Sequence, residues 1–249
     1  MTCQPYFLTK VYQWLKNQQS CLLCSAPSAR ALALCEACEA DLPWLGSQCL
    51  QCALPIPDQH ALCTECTHNP PFFSKVIAPF EYIFPVDTLI NRFKHQQNWP
   101  YGKLLSHLLG HYLNYYYDEG GLRPDYIVAV PLAKQRQQKR GYNQAQILCD
   151  WLSKELKLVS QPQLIRRTRE TQSQQGLTAQ ERQKNLQYAF HVPQPERIKN
   201  KHIVLVDDVL TTGTTCSTIS SLLLEHGAAW VEVYCLARTP KPSKYRLSP

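Results

Sequence analysis

The chain has 249 residues, 44% of them hydrophobic and 18% charged, with a formal net charge of +7 at neutral pH. That suffices for one ordinary domain with a small one beside it, and no stretch approaches the roughly 20 apolar residues that span a bilayer. The first residues lack the apolar block of a secretory signal, so the expected compartment is the cytoplasm.

Residues 1–20 place Tyr6, Phe7, Val11, Trp14 and Leu15 at helical spacing, which predicts a short amphipathic helix docked on the chain's own core. Four Cys-x-x-Cys pairs follow, Cys21/Cys24, Cys35/Cys38, Cys49/Cys52 and Cys63/Cys66, each starting 14 residues after the last. Without an export signal this reads as metal ligation rather than disulfides. Zn²⁺ favours four thiolates, and a two-residue spacer lets both sulfurs of a turn reach one ion, so eight cysteines make two sites. Equal gaps leave the pairing open, but a longer repeat helps. Cys21-Leu-Leu-Cys24-Ser-Ala-Pro27 matches Cys49-Leu-Gln-Cys52-Ala-Leu-Pro55, Leu34-Cys35 matches Leu62-Cys63, and Pro43-Trp44 matches Pro71-Phe72. The unit is a 28-residue ribbon holding two pairs, used twice. The simplest assignment puts Cys21, Cys24, Cys35 and Cys38 on one ion and Cys49, Cys52, Cys63 and Cys66 on the other; an interleaved one keeps the same repeat. A thioredoxin-like redox role would not need four copies. Trp44, Phe72 and Phe73 can stack bases or cap the ribbon core, and their place in the repeat favours the cap.

The predicted domains are the N-terminal helix (1–20), the double zinc ribbon (21–71) and an α/β body (72–249). Residues 1–70 hold three bases and five acids, which leaves +9 on the remainder. Lys75 to Tyr82 predicts an edge strand interrupted by Pro79. Val86 to Gln96 and Tyr101 to Tyr116 predict helices separated by Asn98-Trp99-Pro100. Asp125 to Leu132 is a buried strand. The loop after it carries Lys134, Arg136, Lys139 and Arg140, with no acid between them. Ala145 to Leu156 is an amphipathic helix. Residues 161–194 are polar and basic, with Arg166, Arg167 and Arg169 in a cluster. Such clusters suit phosphorylated ligands, from a pyrophosphate to a nucleic-acid backbone, and equally a solvated face. Trp230 to Leu236 is the last strand. Alternating strands and helices predict a parallel sheet with ligands at the strands' carboxyl ends.

Between those strands, Ile203 to Thr215 reads IVLVDDVLTTGTT. An apolar strand delivers two adjacent acids, a small-residue loop follows, and Ser217 to His226 continues as a helix. Backbone N–H groups in such a loop, with a helix N-terminus behind them, suit a phosphate. Acids beside it suit a diol or Mg²⁺. An ordinary capped corner has no use for two acids there, since burying charge is costly. Neither a GxGxxG loop nor a Walker A lysine is present.

This segment resembles the phosphoribosyl pyrophosphate (PRPP) signature of type I phosphoribosyltransferases. The resemblance implies that Asp207 and Asp208 hold the ribose hydroxyls, directly or through Mg²⁺, as the catalytic acids. Thr211, Thr212, Gly213, Thr214 and Thr215 would then wrap the 5′-phosphate. Ala133 and Lys134 would occupy the pyrophosphate loop, and the segment from Arg169 to Arg182 would be a flap whose Arg169 neutralises the leaving pyrophosphate.

The resemblance extends along the chain through the ribbons, Phe93-Lys94, Val130-Pro131-Leu132, Arg140-Gly141-Tyr142-Asn143-Gln144, Arg166 to Thr171, Gln174 with Gly176-Leu177, Arg182 with Asn185, and Leu236-Ala237-Arg238-Thr239-Pro240. That order is similar to the ComF family of bacterial competence and DNA-utilisation proteins. It implies a phosphoribosyltransferase fold, a zinc module, and handling of single-stranded DNA in concert with DNA-uptake proteins. His95-Gln96-Gln97 departs from the Tyr and Gly frequent there, and residues other than Gly follow Cys24 and Cys52. Two functions compete: a transferase acting on PRPP with an unnamed acceptor, and a catalytically inactive nucleic-acid-binding module with Arg136, Lys139, Arg140, Arg166 and Arg167 as candidate contacts. Regulation of transcription through PRPP sensing has precedent in the fold and no specific support in this chain.

Overall fold

The computed structural model describes residues 19–28, 30–57, 60–96, 98–168 and 189–241. The chain forms two compact units, Met1–Leu42 and Pro43–Pro249. The expected N-terminal helix lies outside the described residues except for its last two positions, which are extended.

In the smaller unit, β1 (Gln19–Ser20) and β2 (Pro27–Ser28) pair antiparallel around the first cysteine knuckle. Helix α1 (Glu36–Ala40) starts at Cys35, whose sulfur accepts the Cys38 N–H and so caps the helix as a Ser or Asp would.

The larger unit repeats that pattern with α2 (Thr64–His68), capped by Cys63. Here the ribbon is part of the main core. Cys49, Cys52, Cys63 and Cys66 share one buried cluster with Val76, Val128, Leu205 and Val233 of the sheet. Compactness therefore does not divide the chain at residue 71.

The sheet contains β3 (Lys75–Ile77), β4 (Phe80–Glu81), β5 (Tyr126–Ala129), β8 (His202–Leu210) and β9 (Trp230–Arg238), all parallel, in the order β3-β9-β8-β5 with β4 also on β9. Pro79 splits the predicted edge strand into β3 and β4, and both pieces stay on β9. From Val231 to Leu236 every β9 residue is buried, as a strand covered on both faces requires. Each large apolar side chain so buried contributes about 1.5–3 kcal/mol.

Helix α3 (Val86–Gln96) and the 20-residue α4 (Trp99–Asp118) pack together. Trp99 and Pro100 were expected to break the helical run. They instead form the first turn of α4, where proline lacks no needed N–H. Helix α5 (Lys134–Arg140) replaces the expected loop after β5. Lys, Gln and Arg are good helix formers, and Gly141 at φ 82° ends the helix in the left-handed region. Helix α6 (Gln144–Leu156) packs on α4, β5 and β8, while α7 (Thr214–Glu225) links β8 to β9. A small antiparallel ladder, β6 (Arg166–Arg167) with β7 (Phe190–His191), stands apart from the sheet. Among the described residues no helix is long and apolar enough to cross a membrane.

Candidate functional site

Strand β8 runs on past the acids to Leu210, so they lie within it rather than at its end. In register, Asp207 lies opposite Cys235 of β9, and Val130 at the end of β5 donates to the Val206 carbonyl at 2.9 Å. The acid pair thus sits where β5 ends. Asp208 is 9% exposed, and Lys94 from the last turn of α3 reaches its Oδ1 at 2.9 Å. Asp207 Oδ1 accepts the Asp208 N–H at 2.8 Å. Burial and the neighbouring Asp208 charge push the Asp207 carboxyl up to about 7, against the lowering influence of that N–H, Lys94 and Arg140. A carboxyl raised in this way beside a second acidic side chain is a pattern associated with ligand sites.

The block from Arg140 to Gln144 frames this pair. Asn143 Oδ1 caps α6 by accepting the Ala145 N–H at 3.1 Å, and its Nδ2 donates to Val130 O at 3.1 Å. The Tyr142 hydroxyl donates to Phe93 O, and Gln144 Nε2 to Lys94 O at 3.4 Å. Arg140 donates to Gln144 Oε1 at 3.0 Å. Ala133 is the N-cap of α5, and Lys134, Arg136 and Lys139 stand exposed along that helix.

Beyond the acids, Thr211 to Thr215 turn into α7. Gly213 has φ 76°, and a Cβ there would come 3.3 Å from the Phe73 ring, so both backbone and packing favour glycine. Thr212 and Thr214 hydroxyls meet at 2.9 Å. The N-cap of α7 is Gly213, which supplies no capping side chain, and the helix N-terminus faces the loop with its donors. Phe72 N donates to Ser217 Oγ at 3.1 Å, fixing the ribbon's exit against α7. Phe73 is buried beneath the loop, as a cap, while Phe72 is exposed.

Arg238 ties the second ribbon to this loop. It is 6% exposed and donates to Cys52 O at 2.8 Å, Leu210 O at 3.1 Å, Thr239 O at 2.9 Å and Thr211 O.

The structure brings together Cys21, Cys24, Cys35 and Cys38 in one tetrad, and Cys49, Cys52, Cys63 and Cys66 in the other, with the sulfurs of each within 4.8 Å. The adjacent pairing holds and the interleaved one does not. The Cys24–Cys35 and Cys52–Cys63 sulfurs are 3.7 Å apart. Four sulfurs about 2.3 Å from a tetrahedral zinc stand about 3.8 Å apart, so both tetrads fit the ion. Ser25 and Ala53 adopt φ 63° and 54°, so each knuckle takes its left-handed turn without glycine. Burial alone would raise the Cys49 thiol, but N–H groups of Cys52, Cys63 and Gln51 hold it at about 7, favouring the thiolate that zinc needs.

Arg166 and Arg167 lie on the β6–β7 ladder. Arg166, with Arg197, lines an open cleft of about 310 Å³, and Arg167 lies over the Phe190 ring at 5.4 Å. Arg169 and the flap lie outside the described residues. Three contributors carried no assigned role in the sequence: Lys94, the Tyr142–Gln144 pair and Arg238. Each stands in a short block, Phe93-Lys94, Arg140 to Gln144 or Leu236 to Pro240, whose partners are distant in sequence.

Fold, acid pair and tetrads define a phosphoribosyltransferase-domain protein with a double zinc ribbon. Residues 117–247 match the phosphoribosyl transferase domain family and residues 14–67 the double zinc ribbon domain family. The chain is 39% identical over 171 residues to the DNA utilization protein YhgH of Escherichia coli K12, covering 68% of this chain and 74% of that one. It is 36% identical over 170 residues to Competence protein F of Haemophilus influenzae, with the same coverage. It belongs to the ComF family of competence and DNA-utilisation proteins. Among solved structures, the purine phosphoribosyltransferase of Pyrococcus horikoshii is similar at 19% identity and TM-score 0.36, over 61% of this chain and 93% of that one.

Proposed function

We propose that the protein binds PRPP with Mg²⁺ at Asp207, Asp208 and the loop Thr211 to Thr215, and serves the use or uptake of DNA in the cytoplasm. The observation that carries this is the acid pair on β8, Asp208 buried and Asp207 half-buried, leading directly into a phosphate-suited loop at the N-terminus of α7. Carboxylates accept from both hydroxyls of a cis diol, and the loop's N–H groups and threonine hydroxyls donate to a 5′-phosphate. Ala133 and Lys134 stand after the β5 end, where a pyrophosphate would extend; Arg169 is assigned to the same leaving group. Bound Mg²⁺ would neutralise pyrophosphate charge as it leaves. The residues supply binding and orientation, and an acceptor nucleophile would complete a ribosyl transfer. The DNA role is carried over from the relatives' names.

The test is equilibrium binding of PRPP–Mg²⁺ to the zinc-loaded chain and to an Asp207→Asn, Asp208→Asn variant. The variant is expected to lose at least about 100-fold in affinity, since two charge-assisted contacts of about 1.5–3 kcal/mol each disappear. Equal affinities would remove the site assignment.

A second reading, single-stranded nucleic-acid binding, is favoured by one surface. Exposed Trp99 packs 5.0 Å from Tyr142, two residues beyond the basic helix α5. Aromatic faces beside a basic track suit splayed bases and their phosphates. Here Arg136, Lys139 and Arg140 take the backbone, and Arg166 and Arg167 are further candidates. Affinity for a short single strand is expected to fall at least tenfold between 50 and 200 mM salt, if about three or more phosphates are engaged. A salt-independent signal counts against this reading.

A further inference from the structure

We propose that His107 and His111 of α4, with Glu155 of α6, form a third metal site, one for a divalent transition-metal ion such as Zn²⁺ and separate from both cysteine tetrads. His107 Nδ1 lies 2.9 Å from Glu155 Oε1, across the seam where α4 and α6 pack. His111 follows one turn later, and its ring centroid is 4.7 Å from that of His107. Side chains four apart on a helix are neighbours on one face. Two histidines so placed are a pairing with which a helix grips zinc.

The helix between them is shaped for the carboxylate. Gly110 stands in the middle of the 20-residue α4, where glycine is less favourable than alanine. A Cβ there would fall 2.7 Å from both Cδ and Oε1 of Glu155 and 2.9 Å from Oε2. The chain thus forgoes a side chain at the position that would push Glu155 off His107. A plain interhelical ion pair involves His107 and Glu155 alone, so His111 is where the two readings part.

Donors about 2.0–2.2 Å from a tetrahedral ion stand about 3.3–3.5 Å apart. The contact of 2.9 Å between His107 and Glu155 therefore has little to open as an ion replaces the proton between them. Among the described residues, the groups already drawn within 4.8 Å of one another are the two cysteine tetrads, so His111 joins by turning its ring. That ring is exposed, and exposed side chains change rotamer readily. Two imidazoles and one carboxylate suit Zn²⁺, Ni²⁺ or Cu²⁺ rather than Mg²⁺ or Ca²⁺, which favour oxygen ligands. Three protein ligands leave a fourth position to water. The His107 and Glu155 side chains are 44% and 26% exposed, so the ion can exchange with solvent. Along α6, Glu155 stands about 16 Å from Gln144, which frames the acid pair, so the two sites are distinct.

The experiment titrates Co²⁺, a spectroscopic stand-in for Zn²⁺, into the zinc-loaded full chain freed of excess zinc, with visible absorption and a metal count. Wild type is expected to take one Co²⁺ beyond its two Zn²⁺ in the micromolar range. Its d–d bands should appear without the thiolate charge-transfer band that marks entry into a tetrad. His111→Ala, which leaves the His107–Glu155 contact in place, is expected to weaken binding at least about tenfold, as are His107→Ala and Glu155→Gln. His191→Ala, on β7, should bind as wild type does. No third equivalent in the wild type overturns the proposal. So does one that survives His111→Ala undiminished, which would be an adventitious ion only. Should His107→Ala or Glu155→Gln fail to fold, His111→Ala decides, because that side chain is exposed.

Discussion

Cys63→Ser is expected to destabilise the α/β body by at least about 4 kcal/mol, while Cys24→Ser leaves the main unfolding transition where it is. The two tetrads are near copies in sequence but not in setting. Cys49, Cys52, Cys63 and Cys66 are all buried and share the core cluster of the sheet, whereas Cys24 is exposed and belongs to the smaller unit. Structural zinc supplies about 10–16 kcal/mol in small isolated modules. In the larger unit that energy holds core residues, so part of it becomes stability of the body. Four thiolates around one zinc also carry a net charge of about −2, beside the buried guanidinium of Arg238. Denaturant unfolding with a zinc count for each variant checks this. Equal losses of stability for both would contradict it.

The second large effect is at Arg238. Its guanidinium donates to carbonyls of Cys52, Leu210, Thr211 and Thr239, joining the second knuckle to the first residues of the phosphate loop. Arg238→Met keeps much of the apolar stem and strands these acceptors, each at about 1–3 kcal/mol when buried. A loss of about 4 kcal/mol is expected, near the top of the range for single substitutions. Arg238→Lys should recover only part of it, because one ammonium cannot reproduce the planar fork. PRPP affinity should fall in the same order, wild type above Lys above Met, since Leu210 and Thr211 lead the loop. Stability within about 1 kcal/mol of wild type for Arg238→Met would show that the strut is dispensable.

Much of this was legible in the sequence where the signal is local. The 28-residue cysteine repeat led to the two tetrads, and the alternation of strands and helices led to the parallel sheet. Boundaries slipped where local chemistry is ambiguous. Trp99-Pro100 reads as a breaker until it is seen as a first turn, and AKQRQQKR reads as a loop because all its faces are polar. The short strands β6 and β7 carry little periodicity. The contacts of Lys94 and Arg238 were not legible at all, because Lys94 meets Asp208, and Arg238 meets Cys52, across more than a hundred residues of chain. Nor could spacing tell that one ribbon joins the main core, since both copies share one pattern.

The measurement that bears most directly on the site is calorimetric titration of the zinc-loaded chain with PRPP and Mg²⁺ at pH 6 and pH 8. The Asp207 carboxyl is raised to about 7, so it is mostly protonated at pH 6 and ionised at pH 8. A ligand held by the carboxylates should bind in the micromolar range at pH 8 and several-fold more weakly at pH 6. The absence of binding at both values, in folded and zinc-replete protein, would contradict the assignment of Asp207, Asp208 and the threonine loop to PRPP.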